Sequence, residues 1–381
     1  MYFTKYCLLF YLLVASTCLQ AQIIDPAIER IENNIVKLDK SGKEKGKPQT
    51  LLARMKDLGV PGISIAVFDN GQIQWAKGYG VTDKSSTEPI DTTTLFQAAS
   101  VSKPLTTVAL MKLAEENKIQ LDEDINLQLT SWQLPANDFT NETKVTPRLI
   151  AGHMGGLSVQ GFVGYKQTDK IPGLVEILNG VAPANSKPVR AVIKPGVKQQ
   201  YSGGGFTVLQ LLLEEKTTQS FSFLMKELVL QPAGMNRSLF AVRLPDSLQT
   251  RFAKSNGNAA NGGYNVYPEQ AAAGLWTTPS DLATFMINVG NSYREGKGIL
   301  QQKTVQGMFA KQPGGNGTGF GMEGEGDGQR FGHWGGNVGY ACYAFSFVNN
   351  GRGVVVMTNS DNGFQLIKEV VKAVMKEYGW K

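Results

Sequence analysis

Apolar and polar residues alternate most clearly near the two ends of the chain. Ile63 to Phe68 and Gln72 to Gly78 read as short strands around Asp69-Asn70-Gly71, whose last two residues tolerate the positive φ angles of a tight hairpin. A second pair, Gly339 to Val348 and Gly353 to Thr358, flanks Asn349-Asn350-Gly351-Arg352. Asp361 then stands as an N-cap before a helix that places Phe364, Ile367, Val370, Val371 and Val374 on one face. Between these ends the period lengthens to that of helices: Leu105, Val108, Leu110, Met111 and Leu113 form one stripe, and Leu282, Phe285 and Met286 another, opened by Ser280 and Asp281. Asp25-Pro26 starts a further helix, and the lysines at 37, 40, 43, 45 and 47 mark a solvated loop. The pattern predicts an α/β (α+β) fold with an antiparallel sheet flanked by helices and built from both chain ends. The α/β lobe is expected over residues 22–95 and 275–381, with a mostly helical lobe inserted over 96–274.

Before this pattern begins, Lys5 precedes an apolar run from Cys7 to Ala15, and small or polar residues lead to Leu19-Gln20-Ala21-Gln22. This is the order of a secretory signal over residues 1–21, and the run is shorter than the roughly 20 residues that span a bilayer. The reading predicts a periplasmic or secreted protein with no stable membrane insertion after signal removal. Of the three cysteines, the leader takes Cys7 and Cys18, so Cys342 has no intramolecular partner.

Charge and composition narrow the chemistry. A net charge of +6 is spread thinly, and no dense basic stretch carries regularly spaced aromatics, so nucleic acid is an unexpected partner. The only histidines are His153 and His333, too few with one remaining cysteine for an ordinary zinc site. No Gly-x-x-x-x-Gly-Lys-Ser/Thr loop or Gly-x-Ser-x-Gly elbow occurs, and Gly321 to Gly328 reads as a loop and not a dinucleotide site. No metal and no cofactor is expected.

One spacing carries chemistry. Ser100-Val101-Ser102-Lys103 is the chain's single Ser-x-x-Lys, and Pro104 suits the first turn of the helix behind it. Residues three apart on a helix share a face, so the Lys103 amine can reach the Ser100 hydroxyl and accept its proton during acyl transfer. The N–H groups at a helix start can stabilise a developing oxyanion.

Phe96-Gln97-Ala98-Ala99-Ser100-Val101-Ser102-Lys103, Tyr201-Ser202-Gly203-Gly204-Gly205-Phe206, Ala273-Gly274-Leu275-Trp276-Thr277-Thr278-Pro279-Ser280-Asp281 and Gly332-His333-Trp334-Gly335-Gly336 follow one another in the chain. Together they resemble the ordered blocks of the serine β-lactamase-like family, which includes class C β-lactamases, penicillin-binding DD-peptidases, D-aminopeptidases and esterases. The resemblance implies a β-lactamase/transpeptidase-like fold, Ser100 as acylating nucleophile, Lys103 as its base and Tyr201 as a proton shuttle to the leaving group. It places His333-Trp334-Gly335 where the family has Lys-Thr-Gly, with Trp334 and Gly335 contacting substrate and the Gly336 N–H joining the Ser100 N–H as oxyanion donor. Gly203 replaces the Asn of Tyr-x-Asn, so a substrate-holding amide is missing. His333 replaces a permanent cation with a group of ordinary pKa near 6.5, so attraction for a substrate carboxylate is expected to weaken above that pH. His153 is read as structural, at a helix end. The expected function is an exported serine hydrolase acting on a small-molecule or peptide ester, amide or β-lactam. The alternatives are a penicillin-binding protein with little turnover and a D-aminopeptidase or esterase that spares β-lactams.

Overall fold

The computed structural model describes residues 25–257 and 263–380; the leader expected over 1–21 lies outside them. Its main feature is a six-stranded antiparallel sheet. β1 (Gly62–Asp69) and β2 (Gln72–Gly80) form the first hairpin. The short strands β3 (Phe96–Gln97), β4 (Leu239–Phe240) and β5 (Leu275–Thr277) make a separate sheet ordered β3-β5-β4. β6 (Gly321–Glu323), β7 (Arg330–Asn337), β8 (Tyr340–Phe347) and β9 (Gly353–Thr358) complete the main sheet in the order β2-β1-β9-β8-β7-β6. The two chain ends therefore meet where β1 pairs with β9, from Ile63 opposite Thr358 to Phe68 opposite Gly353.

Strand alternation separates two cores. Ile63, Ile65 and Val67 face one way, onto α1 (Pro26–Glu32), α2 (Leu51–Leu58) and the C-terminal helix Gly363–Glu377. Ala66 and Phe68 face the other, toward the helices between the strands: α3 (Ser102–Glu115), α4 (Gly203–Thr217) and α5 (Pro279–Glu295). The C-terminal helix is α6. The sheet is thus covered on both faces, which is why β1 reads as a near-continuous apolar run.

Three local expectations change. Asn362, not Asp361, occupies the N-cap position of α6; Asp361 turns its carboxylate to the Gly339 N–H at 2.6 Å and ties the β7–β8 turn to the helix start. The Gly321 to Gly328 segment contributes β6, because glycines opposite Gly332 let the backbone pair closely with β7. Thr278 caps α5, receiving the Asp281 N–H at 3.2 Å, with Pro279 in the first turn.

Beneath α6 lies a buried ion pair. Arg54 Nε and Nη2 donate to Glu369 at 2.7 and 3.0 Å, and the same carboxylate accepts from the Leu38 N–H and from Gln365. Both side chains are almost fully enclosed. Removing one partner leaves the other charge buried, so Glu369→Ala is expected to lower stability by about 3 kcal/mol or more in urea unfolding. The Arg54→Met/Glu369→Leu double variant should recover most of that loss, and a double variant as unstable as the single one would disprove the pairing account.

Candidate active site

The short sheet delivers the chain to the site. The Ala98 N–H bonds to the Leu275 carbonyl at 2.9 Å, and Ala99 takes a left-handed φ of 51°, uncommon for a residue with a Cβ. Ser100 therefore sits in a 3₁₀ turn over Ala99–Val101, ahead of α3 rather than inside it. Ser102 pins this turn by donating to the Ala99 carbonyl at 2.7 Å and accepting from the Leu275 N–H at 3.0 Å. Lys103, with 2% of its surface exposed, points back beneath the turn. Its Nζ lies 3.0 Å from Ser100 Oγ and 2.8 Å from the Ala272 carbonyl oxygen, and among the described residues no carboxylate pairs with it.

Tyr201 arrives from the start of α4. Ser202 caps that helix, accepting the Gly205 N–H at 2.9 Å and donating to the Ser158 carbonyl at 2.6 Å. Gly203 and Gly204 give their N–H groups to the carbonyls of Gln160 and Val159, and Val159 holds φ at 63°, a strained setting for a β-branched residue. The Tyr201 ring centre lies 5.1 Å from Lys103 Nζ, 4.2 Å from the His153 ring and 6.2 Å from the His333 ring. Among the described residues its hydroxyl has no hydrogen-bond partner. Gly203 is buried: a Cβ there would stand 3.1 Å from both the Gln160 carbonyl oxygen and the Phe162 ring. The loop therefore packs tightly against Gly203.

β7 forms the opposite wall. The Val348 N–H bonds to the Gln329 carbonyl, which sets the ladder phase: odd-numbered residues of β7 bond to β8, and Trp334 and Gly336 turn their backbone groups to the other edge. The Gly336 N–H therefore points away from β8. Gly335 is buried, and any Cβ would collide with the Ala98 carbonyl oxygen, so glycine there permits close approach of the strand to the Ser100 turn. Trp334 lies flat on Tyr343, 3.9 Å between ring centres, and that pair borders a cavity of about 300 Å³ with His153, Tyr201, Phe320 and His333.

The sequence profile of the family described as Beta-lactamase matches residues 48–372. The chain belongs to the Beta-lactamase family. Solved structures agree on the fold. An octameric penicillin-binding protein homologue from Pyrococcus abyssi aligns with TM-score 0.69 and 22% identity, over 86% of this chain and 76% of that one. D-amino acid amidase from Ochrobactrum anthropi gives 0.68 and 20%, over 93% and 100%. Protein flp of Staphylococcus aureus is 25% identical over 259 residues, 64% of this chain and 48% of its own. Human mitochondrial serine beta-lactamase-like protein LACTB is 39% identical over 109 residues, 28% of this chain and 20% of its own. The chain spans about half or less of the length of these curated relatives.

In this Beta-lactamase family member the histidines behave differently from the sequence expectation. Desolvation, then the nearby Lys103 charge, lowers the His333 pKa to about 4, so it does not titrate near 6.5 and supplies no switchable cation. The same causes hold His153 well below its ordinary value. His153 follows a helix end, as expected, and its ring, tilted 34° to that of Tyr201, also lines the cavity. Its Gly-rich context signalled a turn, and only the fold shows that the turn abuts the site.

Glu269 was not singled out by any motif. It is fully buried beside the short helical turn Gln270–Ala273, whose Ala271 and Ala272 carbonyls hold Thr106 and Lys103, and its carboxyl oxygens have no partner among the described residues. Burial raises its pKa to about 8 from 4.5. The folded state keeps a proton that the unfolded state releases, so its favourable contribution is complete below pH 4.5 and is lost as pH rises toward 8. Glu269→Gln is expected to gain stability over wild type by about 1.4 kcal/mol per pH unit across that window. Denaturant unfolding at pH 5, 6, 7 and 8 tests this, and a difference that stays constant with pH would contradict a buried protonated carboxyl.

Proposed function

We propose that the protein is an exported serine hydrolase that cleaves esters or amides through an acyl-enzyme on Ser100. The observation that carries this reading is the 3.0 Å contact between Ser100 Oγ and an enclosed Lys103 amine that lacks a carboxylate partner. Ser100 Oγ attacks the acyl carbon while its proton passes to the Lys103 nitrogen. The carbonyl electron pair moves onto oxygen, between the N–H groups of Ser100 and Gly336. Collapse of this intermediate breaks the bond to the leaving group, which takes a proton by way of the Tyr201 hydroxyl. Water then attacks the Ser100 ester by the same route, releasing the acid and restoring the hydroxyl. No cofactor enters these steps. Export rests on the leader pattern of residues 1–21.

Membership of the Beta-lactamase family and the likeness to a D-amino acid amidase support a hydrolase acting at an acyl carbon. The missing amide at Gly203, tightly packed against Gln160 and Phe162, favours simple esters and amides over β-lactams. A panel of a nitrophenyl ester, a D-alanyl amide and a chromogenic cephalosporin is expected to show turnover of the first two above the third. Ser100→Ala and Lys103→Ala should each reduce kcat/KM by about a thousandfold or more, and Tyr201→Phe by about a hundredfold. Retained hydrolysis in Ser100→Ala would place the chemistry elsewhere. Intact-mass measurement with a penicillin separates a third outcome, a stable Ser100 adduct without turnover, which would mark a penicillin-binding protein.

A further inference from the structure

The two histidines that border the cavity are held in opposite tautomers by bonds to the backbone. Ser202 donates its N–H to His153 Nδ1 at 3.2 Å, which requires that nitrogen to be bare and puts the ring proton on Nε2. His333 Nδ1 lies 2.6 Å from the Trp334 carbonyl oxygen, an atom that only accepts, so here Nδ1 carries the proton, and in the neutral ring that desolvation favours Nε2 is bare. Neither Nε2 has a protein partner among the described residues, and neither is one of the sealed, unpartnered polar atoms. Both rings line the same cavity, with centres 4.2 and 6.2 Å from that of Tyr201. The cavity therefore presents one uncharged donor and one uncharged acceptor.

Its charges point the same way. Lys103 is engaged by Ser100 and Ala272, and among the described residues no free cation lines the walls. The one ionic side chain on the rim is Glu323, paired with Arg330 at 2.8 and 3.0 Å. A carboxylate entering here would face a bare imidazole nitrogen and another carboxylate. A primary carboxamide matches both nitrogens: its oxygen accepts from His153 Nε2 and its NH₂ donates to His333 Nε2. Phe320, Tyr201 and Trp334 supply apolar walls for a ring or chain attached to it.

We infer that the cavity beside Tyr201 binds an uncharged primary carboxamide on the leaving-group side of the substrate, through the Nε2 atoms of His153 and His333. The assignment to the leaving-group side rests on the hydrolase reading, in which Tyr201 serves that group; the binding itself does not.

Binding of benzamide, benzoate and toluene to wild type and to Ser100→Ala, followed by NMR titration, tests the site without requiring turnover. Benzamide is expected to bind at least about tenfold more tightly than benzoate or toluene in both proteins. His333→Lys should reverse the order in favour of benzoate. His333→Gln, which still offers an acceptor, should keep the benzamide preference if the Lys variant does not fold. Equal binding of benzamide and benzoate, no benzamide binding, or an unchanged order in folded His333→Lys would overturn the inference. Failure of Ser100 acylation with the benzamide preference intact would instead count against the hydrolase reading alone.

Discussion

The Lys103 amine lies under the Ser100 turn with no carboxylate to pair with among the described residues, and much of the surrounding structure follows from that. Burying an amine of this kind is costly unless fixed dipoles receive its hydrogens. Here the Ala272 carbonyl and the Ser100 hydroxyl do so, and the rings of Tyr201 and Phe206 lie within 5.1 and 5.6 Å. A carboxylate partner would hold the amine as a tight ion pair and reduce its capacity to take a proton from serine. The carbonyl leaves that capacity open while still fixing position. Thr106 bonded to Ala271, and Ser102 bonded to Leu275, lock the neighbouring segments to α3 so that the amine, the hydroxyl and the carbonyl keep their spacing.

Much of this was legible in the sequence because it depends on local spacing or on alternation. The β1–β2 and β8–β9 hairpins, the apolar stripe of α3 and the Ser100–Lys103 spacing each need only a few neighbouring residues to define them. The less legible features arise from contacts across the chain. Asp361 looks like a cap, but Gly339 reaches its carboxylate from 22 residues away in sequence. Glu269 belongs to no motif, and its burial is a property of the elements around it. Gly203 and Gly335 look alike as motif glycines, yet one packs under the Phe162 loop and the other against the Ala98 carbonyl.

Strain is concentrated near the same place. Ala99 and Val159 both hold positive φ, one before the nucleophile and the other in the loop that accepts the first N–H groups of α4. Each is fixed by bonds on either side, the Ala98 and Ser102 contacts in one case and the Ser202 and Gly204 contacts in the other. Such backbone settings persist where the surroundings over-determine them. They bring Ser100 and Tyr201 to the crevice from separate elements, at the expense of local conformational preference.

The histidines complete the electrostatic argument. Where the family motif has lysine, His333 supplies a ring that the Trp334 carbonyl holds in one orientation, and desolvation with the Lys103 charge keeps it neutral. A second ammonium at that position would stand in the field that already depresses both histidines, and it would need a carboxylate from substrate or protein to offset its burial. With imidazole there, Lys103 is the amine that the site is organised around. On the carboxamide reading, recognition falls to directional hydrogen bonds and aromatic walls, with the orientation of each ring nitrogen, and not net charge, selecting the ligand.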